Sequence, residues 1–401
     1  MTSRRMRLFP LVLVLLAAAA CSEQLTTPAN CPALCPGGQG DVFTIVLSPV
    51  SNLDSTFQGY LPTGQGGSLL VSDAIPAGDD RAVIRFFPRA DSVQFADTVK
   101  VAYSIDSVAL EVSILARDTT VNGLSVFFYR LPATLDSSTT FQTVEDSLNP
   151  NNLIDSVAVA DSVVTGKVRL VLTGADLAKV AISVADTGVL AIGLRIRANQ
   201  PTGVRLGSSK AGSSSPVFFS YVKADTADTA LQRRTFSRFP SYNSWRGRNP
   251  PPLNPDRLTI GGDSAARALI RFALPAGIRD SAIILRATLE LEPFDSLFGL
   301  RGDSAIVQVR NLLADFGAKS PPATTFVGER RIAPDVDTTI AVEVSRLVRQ
   351  WQGSSPLPSA LLVVLVPEGS TFMRGEFGST RAGVSPRLTI TYELPFPFER
   401  P

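Results

Sequence analysis

The sequence contains no histidine. Histidine is the commonest general base and metal ligand near neutral pH. Its absence excludes a Ser-His-Asp triad, a Cys-His pair, an HExxH zinc site and most His-ligated metals. Carboxylate-only chemistry, such as glycoside hydrolysis, stays formally open. Charge is sparse: 18% of residues are charged and the net charge is +2. That balance predicts no nucleic-acid footprint. Cysteine is scarce as well, with three residues. No transmembrane span is expected, because the apolar run Leu8 to Ala20 is about 13 residues where about 20 are needed. What is abundant is apolar sequence, 44% of the chain. With so little charge, this composition suits a packed extracellular β-protein. About 360 residues follow the leader and the tether described below, more than one core usually serves, so two domains are expected.

The leader has three parts. Arg4, Arg5 and Arg7 form a positive start, Leu8 to Ala20 an apolar stretch, and Ala18, Ala19 and Ala20 a small-residue cleavage site. Ala18-Ala19-Ala20-Cys21 resembles the bacterial lipobox, with Ala18 where Leu is usual. The resemblance implies a signal peptide over 1–20 and a diacylglyceryl group on the Cys21 sulfur. Multiple acyl chains anchor firmly where one does not. Ser22, in place of Asp, implies the outer membrane of a diderm cell. Residues 21–40 then read as the lipidated Cys and a flexible tether, rich in Pro, Gly and Thr. Within it, Cys31 and Cys35 read as a local disulfide, as two free thiols, or as a metal or redox pair. The oxidising compartment favours the disulfide, and two thiols without histidine make a poor metal site.

The rest is dominated by short runs of β-branched and aromatic residues between turn clusters, which predicts an all-β fold. One short helix is expected at Ser345 to Trp351, with Ser345 as N-cap and Trp351 in the core. The two halves match in order. Arg81 to Phe86 aligns with Arg267 to Phe272, and Val108 to Val112 with Ala287 to Leu291. Gly207 to Gly212 aligns with Gly378 to Gly383, and a Ser-Pro pair then precedes a last strand ending in Tyr221 or Tyr392. This order reads as a tandem duplication. The expected organisation is a first β-sandwich over 41–222, a linker over 223–239, a second β-sandwich over 240–394 and a tail over 395–401.

The repeated unit resembles the DNRLRE domain, a jelly-roll-like module of exported bacterial proteins. The residues that carry the likeness are Arg267 to Phe272 with Leu274 and Pro275, Ala287 to Leu291, Val342 to Trp351, and Phe377 to Tyr392. Ala382 departs from the acid often found there. The first half fits loosely, with Leu170 to Val180 as its only match to the Val342 to Trp351 segment. The resemblance implies two tandem jelly-roll-like β-sandwiches. It also implies either carbohydrate binding, with acidic polysaccharides among the ligands, or a structural role in surface proteins.

Sugar binding calls for an exposed aromatic platform with polar or cationic neighbours. Tyr242, Trp245, Arg246 and Arg248 form the best such cluster, in a stretch that reads as a loop; Arg pairs well with carboxylates. The competing reading is a linker whose aromatics pack between domains. Lys210 and Arg381, at equivalent repeat positions, either line a groove for an acidic sugar or are solvated turn residues. The recurring Asp-Ser and Asp-Thr pairs shape turns or, less simply, bind calcium. Arg301-Gly302-Asp303 reads as a chance tripeptide. The expected function is therefore a surface-anchored, non-catalytic binding lipoprotein for an extracellular polysaccharide, with a structural or adhesive envelope protein as alternative. No enzyme activity, cofactor or metal is expected. The expected partners are the membrane, through the lipid, and the polysaccharide; protein partners are open.

Overall fold

A computed structural model describes residues 42–394, except 60, 76–77, 96–98, 183–187, 226–232, 249–251 and 356. The leader, Cys21, the tether with Cys31 and Cys35, and the tail over 395–401 lie outside the described residues. The chain is mostly β, with 49% strand and 10% helix in several antiparallel sheets.

In chain order, β1 (Val42–Leu47) and β2 (Ser55–Phe57) come first. They are followed by β3 (Ser68–Asp73), β4 (Asp80–Phe86), a small hairpin of β5 (Val93–Phe95) and β6 (Val99–Val101), β7 (Tyr103–Arg117) and β8 (Ser125–Leu131). Helix α1 (Phe141–Ser147) precedes β9 (Leu153–Ala158), β10 (Gly166–Thr173), β11 (Ala191–Arg197), β12 (Thr202–Gly207) and β13 (Val217–Ala224). Next are β14 (Arg233–Arg238), β15 (Pro240–Gly247), β16 (Leu258–Gly261), β17 (Arg267–Arg271), helix α2 (Ala276–Asp280), β18 (Ile283–Leu291), β19 (Ala305–Leu312) and β20 (Pro322–Ile332). The chain closes with β21 (Ile340–Glu343), helix α3 (Ser345–Arg349), β22 (Ala360–Val366), β23 (Arg374–Phe377) and β24 (Arg387–Glu393).

These strands make two units. In the first, one sheet runs β14-β13-β7-β12-β3, with β10 also paired to β7, and faces a second sheet, β15-β4-β11-β8-β9. Alternation along β10 shows why the sheets meet: Val168, Leu170 and Leu172 point inward while Lys167, Arg169, Val171 and Thr173 are exposed. They join Leu110, Phe218, Ile84, Phe128 and Ile192 in one core. In the second unit, β1-β24-β18-β21 faces β2-β17-β22-β19-β20, with β16-β23 as a two-stranded ribbon. Its core holds Ile270, Leu289, Val307, Trp351, Leu365 and Ile390.

Strand pairing crosses the segment bounds read from the sequence. β1 and β2, expected in the first sandwich, pair with β24 and β17 of the second unit. β14, expected in the linker, pairs with β13, and β15, expected in the second sandwich, pairs with β4. The first unit is thus the continuous stretch 68–247, and the second joins 42–57 to 258–393. The exchange is reciprocal. Each half sends its first two strands to the other, where they take equivalent places. The register makes the equivalence exact to the residue: Leu110 pairs with Phe218 and Leu170, and Leu289 with Leu388 and Val342. Alternation in a sequence tells which face of a strand is buried, but not which strand lies beside it.

Helix α3 forms where expected, two residues shorter. Ser345 is not its cap: that place falls at Val344, and the Ser345 hydroxyl instead accepts the Ala287 N–H at 2.5 Å. Trp351 is buried, and its Nε1 donates to Asn311 Oδ1 at 3.0 Å. In the first unit β10 leads into a 3-10 turn, Gly174–Val180, at the place of β21 and α3.

The two units meet in an apolar seam of Leu70, Ile75, Trp245, Leu300 and Phe372. The approach is close: a Cβ on Gly203 would lie 2.9 Å from the Phe372 ring. Arg205 donates to both oxygens of Asp303 across it, at 2.6 and 2.9 Å. The Asp of the Arg301-Gly302-Asp303 tripeptide is therefore part of the seam.

Candidate functional site

The cluster Tyr242, Trp245, Arg246 and Arg248 lies on β15 and just after it, not in a loop. The pleat of a strand sends successive side chains to opposite faces, so it divides the cluster. Trp245 enters the seam and is 3% exposed. It offers no platform to a sugar. Tyr242 faces the other way. Its hydroxyl donates to the Asp136 carbonyl at 3.0 Å, and the Arg85 guanidinium lies over its ring. Arg246 is held by the loop before α1: it donates to the carbonyls of Thr139, Ser137 and Asp136, and to the Tyr242 hydroxyl at 2.8 Å. It braces this loop rather than reaching outward. Arg248 is exposed, over the Phe141 ring and 3.8 Å from Asp79.

Lys210 and Arg381 occupy equivalent turns with different fates. Ser208 Oγ accepts the Lys210 N–H and Ser379 Oγ the Arg381 N–H, at 3.0 and 3.1 Å. Each turn is also held by a residue from the exchanged strands: Asn243 Oδ1 accepts from Ser209 N, and Asp54 Oδ2 from Thr380 N, at 2.9 and 2.8 Å. Arg381 is spent on the carbonyls of Pro255 and Asp54, at 2.7 and 2.9 Å. The Lys210 side chain stays exposed. It joins Thr63, Gln65, Ser137, Tyr242 and Arg246 around an open groove of about 540 Å³. The fold thus brings Lys210, Tyr242 and Arg246 together, and leaves Trp245, Arg248 and Arg381 out.

Two carboxyls carry raised pKa values. Burial pushes Asp80 up to about 7; the nearby Asp263 charge adds to this, while the Ser72 hydrogen bond and Arg81 oppose it. Burial also raises Asp263, against the Ser264 N–H and Arg374. Gly247 separates them: a Cβ there would lie 2.7 Å from Asp80 Oδ1 and 3.5 Å from Asp263 Oδ2. Asp80 Oδ1 has no hydrogen-bond partner among the described residues. Shifted groups often mark reactive sites, but this pair lies between the units and does not line the Lys210 groove. Among the described residues, no three His, Cys, Asp or Glu side chains are grouped to hold a metal ion. Several Asp residues shape turns: Asp136 Oδ1 accepts from Ser138 N, and Asp118 Oδ1 from Thr120 N, each at 2.8 Å.

A second groove, of about 510 Å³, went unnoticed in the sequence. Asp106, Ser107, Tyr221, Lys223, Arg233 and Thr235 line it, on the outer face of the β14-β13-β7 sheet. Its signal was the parity of β13, where Phe219, Tyr221 and Lys223 alternate with the buried Phe218, Ser220 and Val222. In the sequence Tyr221 stands out only as the end of an aligned strand, and Arg233 falls in the expected linker. No protein-family model matches the sequence, and no curated protein matches it.

Proposed function

We propose that this chain is a lipid-anchored, non-catalytic binding protein of the cell envelope, held at the outer membrane, with an acidic extracellular polysaccharide as ligand. In this reading the two units are jelly-roll-like β-sandwiches of the DNRLRE kind, joined by their exchanged strands. The observation that carries it is the meeting of Lys210 with Tyr242 on one open groove, from stretches more than thirty residues apart. A cation beside a half-buried ring and several hydroxyls suits a carboxylated sugar. The lipid on Cys21 would keep this groove at the surface. Two measurements test the reading. The full-length protein should be retained on a polyuronate matrix and pass through a neutral glucan one; equal passage through both would overturn it. Cys21→Ser should leave the membrane fraction, and a variant still acylated and membrane-bound would overturn the anchor.

A second reading, a structural envelope protein, is favoured by the seam. The reciprocal strands and buried Trp245 tie the units as a spacer would require. Recovery of a crosslinked envelope partner, without any glycan retention, would replace the first reading by this one.

A further inference from the structure

We propose that the outer face of the β14-β13-β7 sheet is a second, separate binding surface for an acidic polysaccharide, with the Phe219 and Tyr221 rings as platform and Lys223 and Arg233 as anion contacts. The ligand class rests on the reading above; the surface does not involve the Lys210 groove. Phe219 and Tyr221 stack with near-parallel planes, 20° apart, and ring centroids 6.4 Å apart. Together they make an aromatic patch beside the cations, against which the apolar face of a sugar ring can pack. The platform is fixed in place. Arg169 stands 5.0 Å over the Phe219 ring, donates to the Tyr221 hydroxyl, and is paired with Glu111 at 2.9 Å.

The cations continue this row. Lys223 and Arg233 are directly opposite across β13 and β14, and both are exposed. Like charges in that relation oppose folding. Neither side chain has an ion-pair partner among the described residues. Charge on an edge strand such as β14 guards against unwanted pairing, which suffices for Arg234 and Arg238. It does not explain Lys223, which sits on β13 between two paired neighbours. An anionic ligand does explain it, because a carboxylate or sulfate between the two cations turns repulsion into two charge-assisted hydrogen bonds. The exposed Asp106, across the groove, can accept from a sugar hydroxyl.

The second unit shows that the fold does not demand this face. The places of Phe219, Tyr221 and Lys223 on β13 fall to Thr389, Thr391 and Glu393 on β24, and that of Arg233 to Val42.

The test measures binding of the full-length protein to polygalacturonate and to dextran sulfate, with neutral dextran and the sugar-free polyanion polyacrylate as controls. The unaltered protein should bind one or both acidic polysaccharides and neither control. Tyr221→Ala and Lys223→Glu should each weaken that binding by about tenfold. Lys223→Glu should also raise the unfolding temperature slightly, because it converts a repulsive pair into an attractive one; a merely structural lysine would not pair loss of binding with gain of stability. Binding lost in Lys210→Glu but intact in Tyr221→Ala and Lys223→Glu would overturn this surface and leave the functional reading standing. Polyacrylate bound as tightly as polygalacturonate would overturn the ring platform. No acidic polysaccharide bound at all would overturn both proposals.

Discussion

In the first unit, β13 turns Phe219, Tyr221 and Lys223 to solvent; in the second, the same places on β24 hold Thr389, Thr391 and Glu393. Behind them the inner residues agree. Phe218 and Leu388 both face the core, against Leu110 and Leu289. The two sheets share a pairing scheme and a buried pattern, and they differ where burial makes no demand. That separates what the fold requires from what this chain has added to one copy. The opposite sheets differ too. In the first unit, α1 brings Val144 and Leu148 down on Val83, Tyr129 and Ala191, so that face is closed. The ring pair is on the other sheet, whose outer face no such helix covers among the described residues.

Substitutions that break the comparison come in order of size. Trp245→Ala opens the seam that Trp351→Ala leaves intact. Each should cost about 3–5 kcal/mol in denaturant unfolding. The Trp245 variant alone should also loosen the contact between units, read as faster hydrogen exchange at Gly203 and Leu300. The seam carries a pH dependence as well. Folding raises the Asp80 pKa from 3.8 to about 7. The folded chain therefore holds the proton better than the unfolded one. The stabilisation is complete below pH 4 and is lost as pH rises through 7, by up to about 4 kcal/mol. Asp80→Asn should flatten that slope in thermal unfolding measured from pH 4 to 8; an unchanged slope would place the titration elsewhere.

A smaller contrast tests the exchanged strands. Asp54 and Asn243 hold equivalent turns, but Asp54 also pairs with Arg381 and takes the Thr380 hydroxyl. Asp54→Ala removes the charge beside Arg381 and the acceptor of both the Thr380 N–H and its hydroxyl, and should cost about 3 kcal/mol. Asn243→Ala removes one hydrogen bond and should cost about 1 kcal/mol. Equal losses would mean the two turns are not held in the same way. The smallest effect is Lys223→Glu, which should stabilise the first unit by about 0.5 kcal/mol.

Much of the β pattern was legible because alternation is written in the side chains, as in Lys167 to Thr173. In Leu170 to Val180 the same alternation marks the buried positions of β10 and its 3-10 turn. The partner exchange was not legible. β1 and β2 present their apolar residues equally well to either unit, and only pairing decides. The stretch Pro240 to Gly247 read as a loop because Pro, Asn, Ser and Gly are poor strand formers. They are tolerated here at the edge of a sheet, where β15 pairs with β4 alone. A loop could carry Tyr242 and Trp245 on one surface, whereas the strand sends them to opposite sides. The Phe219 and Tyr221 platform was hidden by the converse effect. In sequence, a run such as Val217 to Val222 looks like core throughout.

The most direct measurement replaces the first face by the second. A chain carrying Phe219→Thr, Tyr221→Thr and Lys223→Glu takes residues that the equivalent strand already bears. It should unfold at the temperature of the unaltered protein or slightly above, and its binding to polygalacturonate and dextran sulfate should weaken by about tenfold or more, the Lys210 groove being left. A variant equally stable and still retained as strongly would contradict the assignment of ligand binding to this face.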